Sequence, residues 1–496
     1  MKPQNYLLAI DQGTTGSRAI LYARTGAVKA QAYQEFRQYY SKSGWVEHDP
    51  DEIIHSVRQV IERALSQARI SPRAIHAIGI TNQRETVVLW DRKTGRSVRR
   101  AIVWQDRRSS DLCSELKKRG HEPWVRNKTG LLIDPYFSAT KLTWLFQNDP
   151  TLKKGARRGS LRFGTIDSWL LHCLTGGVVH ATDMTNASRT LLFNVRNCDW
   201  DDGLAHLFQV PVSVLPNVLP SGSSFGVTKG FRPLPDGIPI CSVIGDQQAA
   251  LFGQSCYAPG SGKNTYGTGC FLLVNLGKRF KLSKYGFVTT IACDQSGKPV
   301  YAMEASIFIA GAAIQWLRDG LRFVKKASET EVIARRQASH ASDLVVIPAF
   351  TGLGAPYWRP DVRGAMFGIT RDTSREMIIK ATVESIAFQV GEVFDLIRTE
   401  CGVRSRSLKV DGGASRNRYL MQFQADLLDV PVLCSSVSEV TAWGTAKLAG
   451  TVSRFWSSPS RVEDRIRYVR YVPRCSRQKR KALVTRWRNA IHQLIH

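Results

Sequence analysis

An apolar strand that ends on a carboxylate and runs straight into a glycine–threonine turn constrains this chain more than any other feature. Tyr6-Leu7-Leu8-Ala9-Ile10 reads as a buried strand, Asp11-Gln12-Gly13-Thr14-Thr15-Gly16-Ser17 as a polar turn, and Arg18-Ala19-Ile20-Leu21-Tyr22 as the returning strand. The pattern returns later. Residues 238–244 are apolar and end at Gly245-Asp246, residues 263–274 form a second hairpin around Thr265-Tyr266-Gly267-Thr268-Gly269, and Leu408-Lys409-Val410 runs into Asp411-Gly412-Gly413.

Helices alternate with these strands. Asp49 can cap a helix, Pro50 suits its first position and Glu52 completes a capping-box-like pattern. Ile53, Ile54, Val57, Val60, Ile61, Ala64, Leu65 and Ala68 then recur at helical spacing. A strand over 74–80 follows and ends in Thr81-Asn82-Gln83-Arg84-Glu85. The fold class is α/β. A chain of 496 residues is too long for one ordinary core, and no short-period repeat suggests a solenoid. The expectation is two related halves, 1–252 and 253–496, with a cleft between them.

The turns carry the chemistry. Asp11, fixed at a strand end, can hold a metal directly or through water. Glycine and small hydroxyl residues let backbone N–H groups approach a phosphate, and Arg18 could neutralise its charge. An ordinary hairpin with Asp and Thr as turn formers accounts for the same residues equally well. Asp246 reads either as a helix cap or as a general base; a cap leaves the amides Gln247 and Gln248 beside it unexplained. A P-loop is excluded, because position 257 is Tyr and Lys263 is followed by Asn264. The protein-kinase motifs His-Arg-Asp and Asp-Phe-Gly do not occur. Three glycine turns and two strand-end carboxylates together favour nucleotide binding without a P-loop.

Composition narrows the setting. Ten cysteines are scattered without a C-x-x-C pair, which fits a reducing compartment and argues against zinc or a disulfide frame. No apolar run nears the ~20 residues of a membrane span, and the start lacks a signal-peptide core. A cytoplasmic protein is expected. The net charge of +28 concentrates towards the end, where Arg461, Arg465, Arg467, Arg470, Arg474, Arg477, Lys479, Arg480, Lys481, Arg486 and Arg488 face only Glu463 and Asp464. An arginine-rich solvated surface or an anionic partner would each explain it. With no nucleic-acid-binding motif there, the solvated surface is favoured and nucleic acid is not expected as a partner.

The stretch Tyr136-Phe137-Ser138-Ala139-Thr140-Lys141-Leu142-Thr143-Trp144-Leu145-Phe146-Gln147-Asn148, with a second from Gly364 to Glu384, resembles the signatures of the FGGY carbohydrate kinases. These belong to the actin, Hsp70 and sugar kinase superfamily. The second signature departs at Met377, where the family has a polar residue. The likeness extends from Ile10 to about Gly450 and implies two ribonuclease H-like (actin-like ATPase) domains around a cleft. Residues 80–86, 102–105, 133–137, 245–248, 263–271, 348–358 and 410–414 are similar to the branch of the family that phosphorylates glycerol.

The resemblance implies ATP, Mg²⁺ and glycerol as ligands and a homo-oligomer, dimer or tetramer. It implies Asp246 as general base and Asp11 near the magnesium. Arg84, Glu85, Tyr136, Asp246 and Gln247 would meet the glycerol hydroxyls, with Trp104 and Phe271 along its carbon edge. Thr14, Thr15, Arg18, Thr268, Gly311, Gln315, Gly413 and Asn417 match nucleotide positions, with Asn417 on the helix after the third glycine turn. A buried triol needs several partners, and a partner left unpaired rejects analogues that lack a hydroxyl. Read without the family, Trp104 and Phe271 are core residues and Arg84–Glu85 is a weak surface ion pair. Two rivals remain: an FGGY kinase for a pentose, hexonate or other polyol, and a basic binding protein on an inactive kinase fold. The intact set Asp11, Arg84, Glu85 and Asp246 argues against the second.

Overall fold

The computed structural model describes residues 5–339, 342–359, 361–456 and 466–496. The first half is built on β1 (Tyr6–Gln12), β2 (Gly16–Ala23), β3 (Val28–Glu35), β4 (Ile75–Asn82) and β5 (Ile240–Gly245), in the order β5-β4-β1-β2-β3. β1, β2 and β3 form an antiparallel meander, while β4 and β5 run parallel to β1. Leu7, Leu8, Ala9 and Ile10 are all buried. Both faces of β1 are covered, so its sequence is continuously apolar rather than alternating. β1 and β4 each continue two residues past their apolar runs, because Asp11 and Gln12 pair in parallel with Thr81 and Asn82.

Helix α1 (Pro50–Ala68) buries the eight apolar residues that set its period. Asp49 caps it, accepting from the N–H of Asp51 at 2.9 Å. Glu52 does not close a capping box. Its Oε1 accepts instead from the Tyr39 hydroxyl at 2.7 Å. Between β4 and β5 lies a separate apolar cluster that includes Val87, Leu89, Leu131, Ile133 and Phe137, and helix α2 (Ser138–Asn148) contributes Ala139, Leu142, Leu145 and Phe146 to it.

The second half repeats the plan. β6 (Gly262–Tyr266), β7 (Cys270–Gly277), β8 (Val288–Cys293), β9 (Pro299–Ile307), β10 (Leu408–Asp411), β11 (Val432–Ser435) and β12 (Tyr468–Tyr471) lie in the order β8-β9-β7-β6-β10-β11-β12. Here too a meander, β6-β7-β9, is extended by two strands, β10 and β11, parallel to its first.

Helix α3 (Asp246–Gly253) follows β5 and packs on β6, β7 and β8 of the other half. Further on come α4 (Gly311–Gln315), α5 (Arg375–Cys401), α6 (Arg418–Leu428), α7 (Val440–Val452) and α8 (Arg477–Ile495). Helix α7 follows β11 and packs on β1, β4 and β5 of the first half, where Ala442, Trp443, Ala446 and Ala449 meet Leu7, Ala9, Ile20 and Tyr22. α3 and α7 touch closely. A Cβ on Gly444 would lie 1.9 Å from the carbonyl oxygen of Ala249, and one on Gly253 2.5 Å from that of Val440.

Of the basic tail, Arg461 and Arg465 lie outside the described residues, as do Glu463 and Asp464. Arg480 and Arg486 pair with Asp429 and Asp343 at 3.0 and 3.2 Å, while Arg477, Lys479, Lys481 and Arg488 are exposed. Among the described residues no helix is long and apolar enough to cross a membrane, and all ten cysteines are free.

Candidate active site

The carboxyl ends of the parallel strands converge on one crevice, the usual ligand position in an α/β sheet. Beyond β4 the chain turns sharply at Glu85, whose φ of +63° is uncommon for a residue with a side chain. Arg84 and Glu85 are both buried, so neither belongs to a surface pair. They stand 3.9 Å apart, and each has a closer partner. Arg84 places Nη1 and Nη2 on the two oxygens of Glu304 at 2.6 and 3.0 Å, the bidentate fork that suits a guanidinium. Arg189 donates through Nε to Glu85 at 2.6 Å and through Nη2 to Glu304 at 3.0 Å.

The Arg84 Nε reaches Asp246 Oδ1 at 3.1 Å. A continuous string Glu85–Arg189–Glu304–Arg84–Asp246 thus floors the crevice. Burial alone would raise the Glu304 carboxyl, but Arg189 and Arg84 hold it down at about 2. Burial raises Glu85, and the same two arginines only partly oppose it. Gly245 makes room for this floor, since a Cβ there would sit 2.8 Å from Arg84 Cδ and 3.0 Å from Gln248 Oε1.

Asp246 is the first residue of α3 rather than its cap; Gly245 holds the cap position. Its side chain is 32% exposed. Oδ1 forms the ion pair with Arg84 and accepts from the N–H of Gln247 at 2.6 Å. Among the described residues no hydrogen bond forms to Oδ2. Gln247 accepts from Lys263 Nζ at 2.5 Å, and the same ammonium donates to Thr265 Oγ1 at 2.9 Å. Gln248 is buried under the floor, accepting from Arg84 Nη1 at 3.2 Å and donating to the Ile291 carbonyl at 3.0 Å.

One wall is aromatic. Trp104 and Tyr136 meet edge to face, with centroids 5.5 Å apart, and Trp104 Nε1 donates to Thr14 Oγ1 at 2.9 Å. The loop under Tyr136 is gathered by Lys141, whose Nζ donates to the carbonyls of Pro135, Tyr136 and Phe137 at 2.6, 2.7 and 3.3 Å. Burial pushes that lysine down to about 8. Phe271 comes from β7 in the other half, where it packs against Leu251, Cys256, Leu273 and Ala292.

The turn after β1 is closed by the Gly13 N–H to the Gly16 carbonyl at 2.9 Å, leaving the Asp11 side chain at the crevice end of its strand. Desolvation raises the Asp11 carboxyl to about 6, against Arg18 and with help from Asp246. Arg18 lies opposite Asp11 in the hairpin but forms its ion pair with Glu439, the residue before α7. The phosphate role expected of Arg18 therefore requires it to leave a carboxylate from the other half. Thr15 is exposed at the tip of the turn.

Thr268, Gly311, Gln315, Gly413 and Asn417 come together in one cavity of about 390 Å³, with Arg416 also on its wall. Gly311 donates to the Gly267 carbonyl at 3.0 Å, setting the N-terminus of α4 against the second glycine turn. Asn417 is not within a helix. It caps α6, accepting from the Leu420 N–H at 3.0 Å. Thr14, Thr15 and Arg18 belong to the opposite turn and do not line this cavity.

Sequence reasoning missed Glu304, Arg189 and Lys263. A signal for Glu304 existed: it is a lone carboxylate in the otherwise uncharged strand Pro299–Ile307, a place where charges occur only when paired. Among the described residues no group of three or more His, Cys, Asp or Glu could hold a metal ion.

Two family profiles match the chain: the N-terminal domain of the FGGY family of carbohydrate kinases over residues 6–253 and its C-terminal domain over 262–452. A glycerol kinase of Bacillus licheniformis is 49% identical over 490 residues, covering 99% of both chains. One from Xanthomonas axonopodis pv. citri is 49% identical over 489 residues, 98% of both. A crystal structure of Plasmodium falciparum glycerol kinase with ADP superposes with a TM-score of 0.94 at 36% identity, covering 99% of this chain and 98% of that one. The crevice, its glycine turns and these matches lead to one conclusion: the chain belongs to the FGGY family of carbohydrate kinases.

Proposed function

We infer that the chain transfers the γ-phosphoryl group of ATP to a terminal hydroxyl of glycerol, giving sn-glycerol 3-phosphate for glycerol catabolism. The observation that carries the reading is Asp246: one carboxylate oxygen is anchored by Arg84 and Gln247, and the other is open to the crevice. Oδ2 accepts the hydroxyl proton as the new O–P bond forms and the bond to the β-phosphate breaks. Arg84, Glu85, Tyr136, Asp246 and Gln247 hold the hydroxyls, and Trp104 and Phe271 border the carbon edge. Thr14, Thr15 and Arg18 serve the phosphates; Thr268, Gly311, Gln315, Gly413 and Asn417 serve the rest of the nucleotide. Residues 1–252 supply the glycerol and phosphate contacts, with Phe271 added from the second half, and 253–496 form the nucleotide pocket.

Asp11 fits a magnesium ion. Its carboxylate is partly desolvated and repelled by Asp246, an excess of negative charge that a cation relieves. With no cluster of three or more His, Cys, Asp or Glu among the described residues, the ion would rest on Asp11, water and the ATP phosphates, a common arrangement for magnesium. It would supply charge neutralisation on the phosphates. Identity to the Bacillus and Xanthomonas relatives supports glycerol over larger substrates. The ten free thiols fit a cytoplasmic setting, and the family suggests a dimer or tetramer, which light scattering would reveal.

ADP release measured over a polyol and sugar panel tests the reading. Glycerol should be the preferred acceptor; a preference for xylulose or gluconate would replace it. Asp246→Asn should fold and bind glycerol while kcat falls by about 100- to 10,000-fold, the usual range of general-base contributions. Near-normal turnover would remove Asp246 as the base.

A further inference from the structure

Gly245 and Asn82 end adjacent parallel strands, and the residues after them carry the reaction: Asp246 after one, Arg84 and Glu85 after the other. β5 lies at the edge of its sheet, so its outward N–H groups lack a strand partner. Two of them, on Val243 and Gly245, are two residues apart and face the same side. Val243 N–H donates to the Ser221 carbonyl at 3.1 Å, and Gly245 N–H to Thr185 Oγ1 at 2.8 Å.

Both partners converge on one buried carboxylate. Thr185 Oγ1 and Ser221 Oγ donate to Asp183 Oδ2 at 2.7 and 2.6 Å. The other oxygen, Oδ1, accepts from Asn186 Nδ2 at 2.8 Å. The Asn186 amide in turn forms a reciprocal pair with Asn82, at 3.0 and 3.1 Å. Asp183, Thr185, Asn186 and Asn82 are all buried.

We propose that Asp183, acting through Thr185 and Asn186, fixes the ends of β5 and β4 relative to one another, and that Thr185 is a positioning residue for Asp246. The Thr185 hydroxyl is a relay. It accepts from the backbone immediately before Asp246 and donates a hydrogen bond to a carboxylate that, through Asn186, also holds the end of the strand leading to Arg84. Without it, the Gly245 N–H is buried unpaired and the first turn of α3 is free to shift. A displacement of about 1 Å at a reacting group lowers turnover roughly 100-fold while substrate contacts elsewhere persist.

The inference rests on Asp246 as the base. The test compares Thr185→Val, which keeps shape but loses the hydroxyl, with Thr185→Ser, which keeps the hydroxyl, in the full-length enzyme. Thr185→Val is expected to lower kcat about 10- to 100-fold with both KM values within about threefold of the parent, and Thr185→Ser to recover most of the loss. An unchanged kcat in Thr185→Val, a loss carried by KM, or an equal loss in Thr185→Ser would overturn it. Should Thr185→Val not fold, the smaller Thr185→Ala takes its place; failure of both would make Thr185 a folding residue and end the proposal. A parent enzyme without glycerol turnover, or with turnover unaffected by Asp246→Asn, defeats the underlying activity instead.

Discussion

Glu304 gives both oxygens to Arg84 and shares one with Arg189, so removing its charge leaves two guanidiniums buried with only Glu85 and the half-open Asp246 to balance them. Breaking a buried pair from one side costs about 3–5 kcal/mol. Glu304→Gln is expected to lose that much stability in a urea titration and to raise the KM for glycerol, because Arg84 is no longer held. A stable variant with unchanged KM would detach Glu304 from the site. Since Glu304 is held at about 2 against an ordinary value of 4.5, its stabilising contribution is complete above 4.5 and is lost as pH falls through about 2. The Glu304 contribution is therefore constant with pH above about 4.5. Asp11 and Asp246 stood out in the sequence because each ends an apolar strand, whereas Arg84 and Glu85 were pointed to only by the family resemblance and read alone pass for a weak surface pair. Glu304 shows in the sequence only as a lone carboxylate in an apolar strand; its partners Arg84 and Arg189 lie 220 and 115 residues away, and no local pattern names them.

Helix α1 was legible because one face is buried and one is wet, whereas α5 was not. α5 buries Ile379, Val383, Ile386, Val390, Val393, Phe394 and Ile397 along one stripe but also Met377, Ala381, Glu384, Ser385 and Phe388 on its other faces, and a helix covered on several sides shows little contrast between its faces. Its start is conventional: Ser374 accepts from the Met377 N–H at 3.3 Å. Met377, the departure from the family signature, offers its sulfur to the Ser374 N–H at 3.5 Å. It also packs with Leu344, Val346 and Ala381, so a weak acceptor serves where the neighbours are apolar. Ser374→Ala should cost about 1 kcal/mol, the usual worth of a capping hydroxyl, seen as a lower denaturation midpoint with unchanged glycerol turnover. A loss of turnover at unchanged midpoint would mean that the N-terminus of α5 serves the site rather than the fold.

At the scale of the molecule, the recurrence of strand, turn and strand was visible in the sequence. That the two sheets share one order, and that α3 and α7 cross to the opposite sheets, was not, because strand order depends on contacts made far along the chain. The crossing depends on glycine at 444, where a Cβ would strike the Ala249 carbonyl. Gly444→Ala should destabilise the protein by about 1–3 kcal/mol, as overpacking does, and calorimetry should still find both halves melting together. Separate transitions would show that the crossing does not couple them. The reciprocal crossing makes the two halves resemble subunits that have exchanged arms, with the connecting chain as a tether. Either half by itself would lack its covering helix and the far side of its crevice, so each is completed only by the other.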